Sequence, residues 1–150
     1  MSGSANTGAP IMHAFLIDAT SATITRVTLP KQGDGLPTIY RLIGCETITA
    51  VPFDDADTIY VDDEALLKSP ALHLFAVAGY PQPIVGNGLV VGTTSNGADA
   101  PPRVSLARLQ RRIRFIERVT DTLCVLRGYG RRPVLANFHA VIRTLAQEAA

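Results

Sequence analysis

Arginine is the residue type that brings most chemistry to this sequence: of its fourteen basic side chains twelve are arginine and two are lysine. A guanidinium presents a planar fork that makes two parallel hydrogen bonds to a phosphate or a carboxylate, which a merely solubilising face does not require. Ten of the twelve arginines follow residue 100, where only Glu117, Asp121 and Glu148 oppose them, a net charge of +7. Residues 1–100 carry Arg26, Lys31, Arg41 and Lys68 against ten acids, a net of −6. The overall charge of +1 hides this division. Halves of opposite sign attract one another, within a chain or between protomers, or the basic half faces an anionic partner.

The arginines have to be held by something, and the apolar pattern between them predicts a helix. Leu106, Leu109, Ile113, Ile116, Thr120 and Leu123 recur at spacings of three and four, a single seam on a helix that Ser105 would cap and Gly128 would end. At about 100° per residue, Arg103, Arg111, Arg114 and Arg118 then cluster opposite the seam, with Arg112 and Arg108 beside them. Arg131 and Arg132 add charge at the following turn. The expected anion-binding set is therefore Arg103, Arg111, Arg112, Arg114 and Arg118. Two other uses compete with it: a solvated face whose arginines pair with Glu117 and Asp121, or docking on the chain's own acidic half. Aromatic residues make up only 6% of the chain and no nucleic-acid module is recognisable, which weighs against base recognition along a strand.

Other candidate chemistry is sparse. Asp54, Asp55, Asp57, Asp62, Asp63 and Glu64 lack the alternating donors, central glycine and distal glutamate of a calcium loop, and read as acidic turns beside strands. His13, His73 and His139, with Cys45 and Cys124, have no paired zinc spacing, so no metal and no cofactor is implied. Gly86, Gly88 and Gly92 flank a strand where a dinucleotide loop would follow one. No serine sits in a nucleophile elbow and no Cys–His pairing is visible, so no catalytic residue is assigned.

The elements ahead of the arginines read as a sheet. Ile11 to Asp18 and the alternating Ala22 to Leu29 form a hairpin, and Pro37 to Gly44 a short helix. Cys45 to Phe53, Asp57 to Asp62, Leu72 to Ala78 and Leu89 to Val91 supply further strands, antiparallel because no long crossover connects them. Asp62-Asp63-Glu64 opens a turn or short helix through Leu67. After the turn at Gly128 to Pro133, Leu135, Phe138, Ile142 and Leu145 predict a second helix, so the fold expected is α+β: an antiparallel sheet with a short helix, followed by a C-terminal αα-hairpin. The expected layout is a disordered tail at 1–10, an acidic β-rich part at 11–92, a linker at 93–102 and an arginine-rich helical hairpin at 103–150. The N-terminus has no signal-peptide pattern and no apolar run reaches membrane-spanning length, which points to a cytoplasmic protein with thiols kept reduced.

The run IYRLIGCETITAV (Ile39 to Val51), followed by TIYVDDEALLK and IVGNGLVVG, resembles the domain-of-unknown-function family 3846 over about residues 13–92. The resemblance carries no catalytic residues; it implies a phage- or plasmid-type accessory protein acting on host defence or gene expression. Three functions remain in view. The leading one is a non-enzymatic binding protein, homo-oligomeric through its apolar seams, whose arginines engage a nucleotide signal, nucleic acid or an acidic protein surface. The second is a structural protein whose basic hairpin docks on its own acidic sheet. The third is a small hydrolase or transferase, which requires carboxylates gathered around a histidine.

Overall fold

The computed structural model of the chain describes residues 10–31, 35–54, 56–65 and 72–149. The tail at 1–9, Asp55 and residues 66–71 lie outside the described residues, so of the segment expected to run through Leu67 only the turn at Asp63 and Glu64, as far as Ala65, is described. The chain is α+β: antiparallel strands build two sheets, and two helices cover their outer faces.

The first sheet runs β2-β1-β7-β4-β3, from β1 (Ile11–Asp18), β2 (Thr23–Pro30), β3 (Ile48–Asp54), β4 (Asp57–Asp62) and β7 (Gly88–Thr93). The short β8 (Asp99–Ala100) folds back on the end of β7. The second sheet runs β11-β10-β9-β5-β6, from β5 (His73–Val77), β6 (Ile84–Val85), β9 (Ile113–Arg118), β10 (Leu123–Gly128) and β11 (Val134–Asn137). Strand alternation decides what meets what. Phe15, Ile17, Ile59, Val61 and Val90 point from the first sheet, and Phe75, Val77 and Ile113 from the second, into one shared core. The opposite face of the first sheet, with Ala14, Leu89 and Val91, takes Ile39 and Ile43 of helix α1 (Gly35–Ile43). The opposite face of the second, with Leu74, Ala76, Ile116 and Cys124, takes Leu145 of helix α3 (Phe138–Ala149). The order of layers is thus helix, sheet, sheet, helix.

The hairpin of β1 and β2 and the helix stopped by Gly44, at φ +82°, follow the sequence reading. So does the cap at Ser105, whose hydroxyl accepts the Arg108 amide at 3.1 Å. The C-terminal αα-hairpin does not form. Helix α2 (Leu106–Arg112) ends after seven residues and runs straight into β9, with Ile113 already extended at φ −109° and ψ 135°. The reason lies in how β9 is buried. It is covered on both faces, so Ile113 fills the inter-sheet core while Ile116, an odd number of residues on, fills the layer under α3. Two apolar residues three apart serve opposite faces of a strand as well as one face of a helix, and β-branched and aromatic residues from 113 to 119 favour the strand. The second expected helix begins later than its pattern suggested. Leu135 belongs to β11, and Asn137 accepts the Ala140 amide at 3.0 Å to open α3.

The segment 93–102 is laid along the first sheet. Buried Asp57 accepts the backbone amides of Arg103 at 2.9 Å and Val104 at 2.8 Å, pinning the chain where it crosses from one sheet to the other. Tyr60 donates to Asp99 at 2.7 Å and holds β8 against β4. None of the described helices is long and apolar enough to cross a membrane.

Candidate functional site

Replacing the long helix by α2, β9 and β10 scatters the expected arginine face. On a strand, Arg114 and Arg118 stand on the α3 side of the second sheet, four residues and two pleats apart. Each expected residue then has its own surroundings. Arg112 is fully engaged: its guanidinium pairs with Asp54 at 2.8 Å, donates to the Ala78 carbonyl at 2.8 Å and lies 4.4 Å over the Phe53 ring. Arg118 stacks on Phe138 at 4.1 Å and donates to the Asp121 carbonyl at 3.1 Å, so it ties the β9–β10 turn to α3. Arg103 lies with Arg108 in a separate hollow beside Asp54 and Asp57.

Arg111 and Arg114 are brought together. They line one concavity of about 690 Å³ with Arg131 and Arg132, the floor being Ile113, Leu126 and Gly128. Sequence reasoning counted Arg131 and Arg132 only as extra charge at a turn. The signal that could have found them is the turn itself, Gly128-Tyr129-Gly130: Gly130 at φ +68° reverses the chain at the end of β10 and returns the next two arginines toward β9. Among the described residues, the guanidinium groups of Arg111, Arg131 and Arg132 have no hydrogen-bond or ion-pair partner, the Arg131 amide alone donating to the Gly128 carbonyl at 3.2 Å. Arg114 has one, Glu148 near the end of α3, at 3.2 Å. Both members of that pair are largely open to water, 38% and 51% exposed, so the contact is weak and replaceable. Four guanidinium groups around one hollow offer many donors in fork geometry and a concentrated positive field.

A second concavity, about 490 Å³, adjoins the first. The two share Ile113, Gly128, Tyr129 and Arg131 at the end of the β9–β10 pair. This one opens between the sheets, where the β1–β2 hairpin faces β9, and its wall is mainly Ile24, Phe115, Pro133 and Tyr129, with Gln110, Thr23 and Arg127 as polar groups. Both volumes fall in the range of small-molecule sites.

Cys124, His13 and His73 lie outside the two adjoining concavities. Burial pushes the Cys124 thiol up, partly countered by the Arg118 guanidinium, and neither cysteine forms a disulfide. Burial, then the charge of Arg26, lowers His13, which packs edge-on to Phe15. His73 and Glu117 lie 3.8 Å apart across β5 and β9, and they line neither of the two adjoining concavities. Among the described residues no three of His, Cys, Asp and Glu gather as a metal site. Of the glycines around β7, Gly88 and Gly92 are packing positions and Gly86 is a turn position. A side chain at Gly92 would strike the Pro101 carbonyl, and Gly86, at φ +86°, turns the chain.

No solved structure matches the chain. It is 34% identical over 79 residues to the uncharacterised protein y4iR of Sinorhizobium fredii (strain NBRC 101917 / NGR234), a stretch covering 52% of this chain and 47% of that relative. The chain thus spans about half the length of the curated relative it matches. A family model matches residues 12–114, which run from β1 through α2 into β9 and include Arg103, Arg111, Arg112 and Arg114. By that match, over more than half its length, the chain belongs to the family described as domain of unknown function DUF3846.

Proposed function

We propose that the protein is a non-enzymatic binding protein that takes an anionic partner in the arginine-lined concavity at the end of β9 and β10. The observation that carries this reading is the convergence of Arg111, Arg114, Arg131 and Arg132 on one hollow, three of them with guanidinium groups that have no partner among the described residues. A fold gains no stability from collecting like charges, which repel, so their gathering there points to an anion from outside. Association with an accessory role in a mobile element remains part of the proposal, as the resemblance implied. Val134 and Leu135, exposed on the edge strand β11, support a homo-oligomer built along that edge.

The alternative, in which the basic stretch only docks on the chain's own acids, rests on the Arg112–Asp54 pair. One experiment separates the two. Titration calorimetry with inorganic tripolyphosphate, at low and high salt, is run on the wild type, on Arg111→Ala plus Arg132→Ala, and on Arg112→Ala. In the binding reading the double variant weakens uptake by about tenfold or more and keeps its stability, while Arg112→Ala loses about 1–2 kcal/mol of stability and still binds. Absence of uptake by the wild type, or uptake unchanged in the double variant, rejects the site.

A further inference from the structure

Resting on that reading, we infer that the partner is a nucleotide: a free nucleoside di- or triphosphate whose phosphates lie among Arg111, Arg114, Arg131 and Arg132 and whose base enters the adjoining concavity between the sheets. The argument is the pairing of two unlike hollows. One is cationic and the other is walled by Ile24, Phe115, Pro133 and Tyr129, and they meet along Ile113, Gly128, Tyr129 and Arg131. A ligand that fills both has a short polyanionic end and a flat, largely apolar end bearing hydrogen-bonding edges. Tyr129 and Phe115 offer rings to stack on, and Gln110 and Thr23 offer an amide and a hydroxyl to those edges.

The distribution of the other arginines argues against a long nucleic acid. A strand of DNA or RNA needs a positive track several phosphates long. Here Arg112 and Arg118 are bound to Asp54, Ala78, Asp121 and Phe138. Arg103 and Arg108 sit in a separate hollow beside two carboxylates. The arginines that line the two adjoining cavities gather at the end of the β9–β10 pair, four around the first hollow and Arg127 with the shared Arg131 on the second, and a cavity selects a small molecule. An acidic protein surface is likewise a poor fit, since a convex partner reaches a rim more readily than the apolar hollow behind it.

The test uses the full chain and three probes: individual purine and pyrimidine nucleoside triphosphates, inorganic tripolyphosphate, and a single-stranded oligonucleotide. Titration calorimetry is expected to give one nucleotide per chain, bound at least about tenfold more tightly than tripolyphosphate. Ile24→Trp fills the apolar hollow and removes that preference while tripolyphosphate still binds. Gln110→Trp, on the partly exposed face of α2, gives the same result should Ile24→Trp fail to fold. Arg111→Ala plus Arg132→Ala weakens nucleotide and tripolyphosphate together. Equal affinity for nucleotide and tripolyphosphate, or a preference untouched by both tryptophan variants, overturns the nucleotide assignment and leaves the anion site standing. An oligonucleotide that binds more tightly than every nucleotide also overturns it. Failure of all three probes removes the anion site itself.

Discussion

Tyr60 shows how one side chain couples this fold to pH. Its hydroxyl donates to Asp99, and burial first, then that carboxylate, pushes the phenol up to about 12. In the unfolded chain the same group ionises near pH 10, at roughly its ordinary value. The folded form therefore keeps a proton that the unfolded form gives up. Its stabilisation is complete below about pH 10 and drains away as pH climbs toward about 12. Urea unfolding midpoints measured across that window should fall more steeply for the wild type than for Tyr60→Phe; parallel curves would show that the phenol is not shielded. The effect belongs to the anchoring of β8, since the contact joins β4 to the strand that leads out of the first sheet. The same scale separates Arg111 from Arg112. Adjacent in sequence, they differ because one leaves the helix toward Asp54 and the Phe53 ring and the other toward the open hollow.

At the scale of elements, a small residue sets how the two sheets meet at Gly88. Gly88 of β7 lies under the Phe75 ring of β5, and a methyl group there would sit 2.8 Å from Phe75 Cζ and 2.9 Å from Ile59 Cγ2. Gly88→Ala should cost about 1–3 kcal/mol by chemical denaturation, the usual penalty for an overfilled core. In a Phe75→Leu background the penalty should shrink by half or more; an unchanged penalty would mean that the contact between sheets is not the cause. At this scale the sequence was legible wherever turn residues bound an apolar run or a helix shows one apolar face. The β1–β2 hairpin, α1 with its terminal Gly44 and the cap at Ser105 all announce themselves by period and punctuation. It was not legible at β9, which follows α2 with no turn residue between them and, buried on both faces, shows no alternation to mark the change. Ile113 and Ile116, serving two different cores, imitated a helical seam, and the arginines between them were misplaced with it. Of the candidate site, Arg111 and Arg114 were visible as charge. Their convergence with Arg131 and Arg132 depends on the Gly130 reversal, which brings together residues about twenty positions apart and leaves no periodic trace.

For the molecule as a whole, the consequential arrangement is that the second sheet is completed only by strands from both sides of the pinned crossing at Asp57. Strands β5 and β6 come before it, and β9 to β11 come after. Helix α3 closes the outer layer, with Leu145 over Cys124 and Ile116. The Cys124 thiol, fully buried and pushed toward its protonated form, reports the opening of that layer. In a Cys45→Ser background, a colorimetric disulfide reagent should label Cys124 slowly. Leu145→Ala, which empties a core site at a cost of about 2–5 kcal/mol, should accelerate the labelling strongly. Fast labelling of the background protein would mean that α3 does not seal the face.

The contact between Arg114 and Glu148 gives the chain a tethered counter-ion of its own. A phosphate bound there as proposed would not meet a bare cation; it would trade places with a carboxylate held on the same molecule. On the proposed reading, affinity for a phosphate would be the difference between two anions competing for one guanidinium, and release of Glu148 near the end of α3 would be a local record of occupancy.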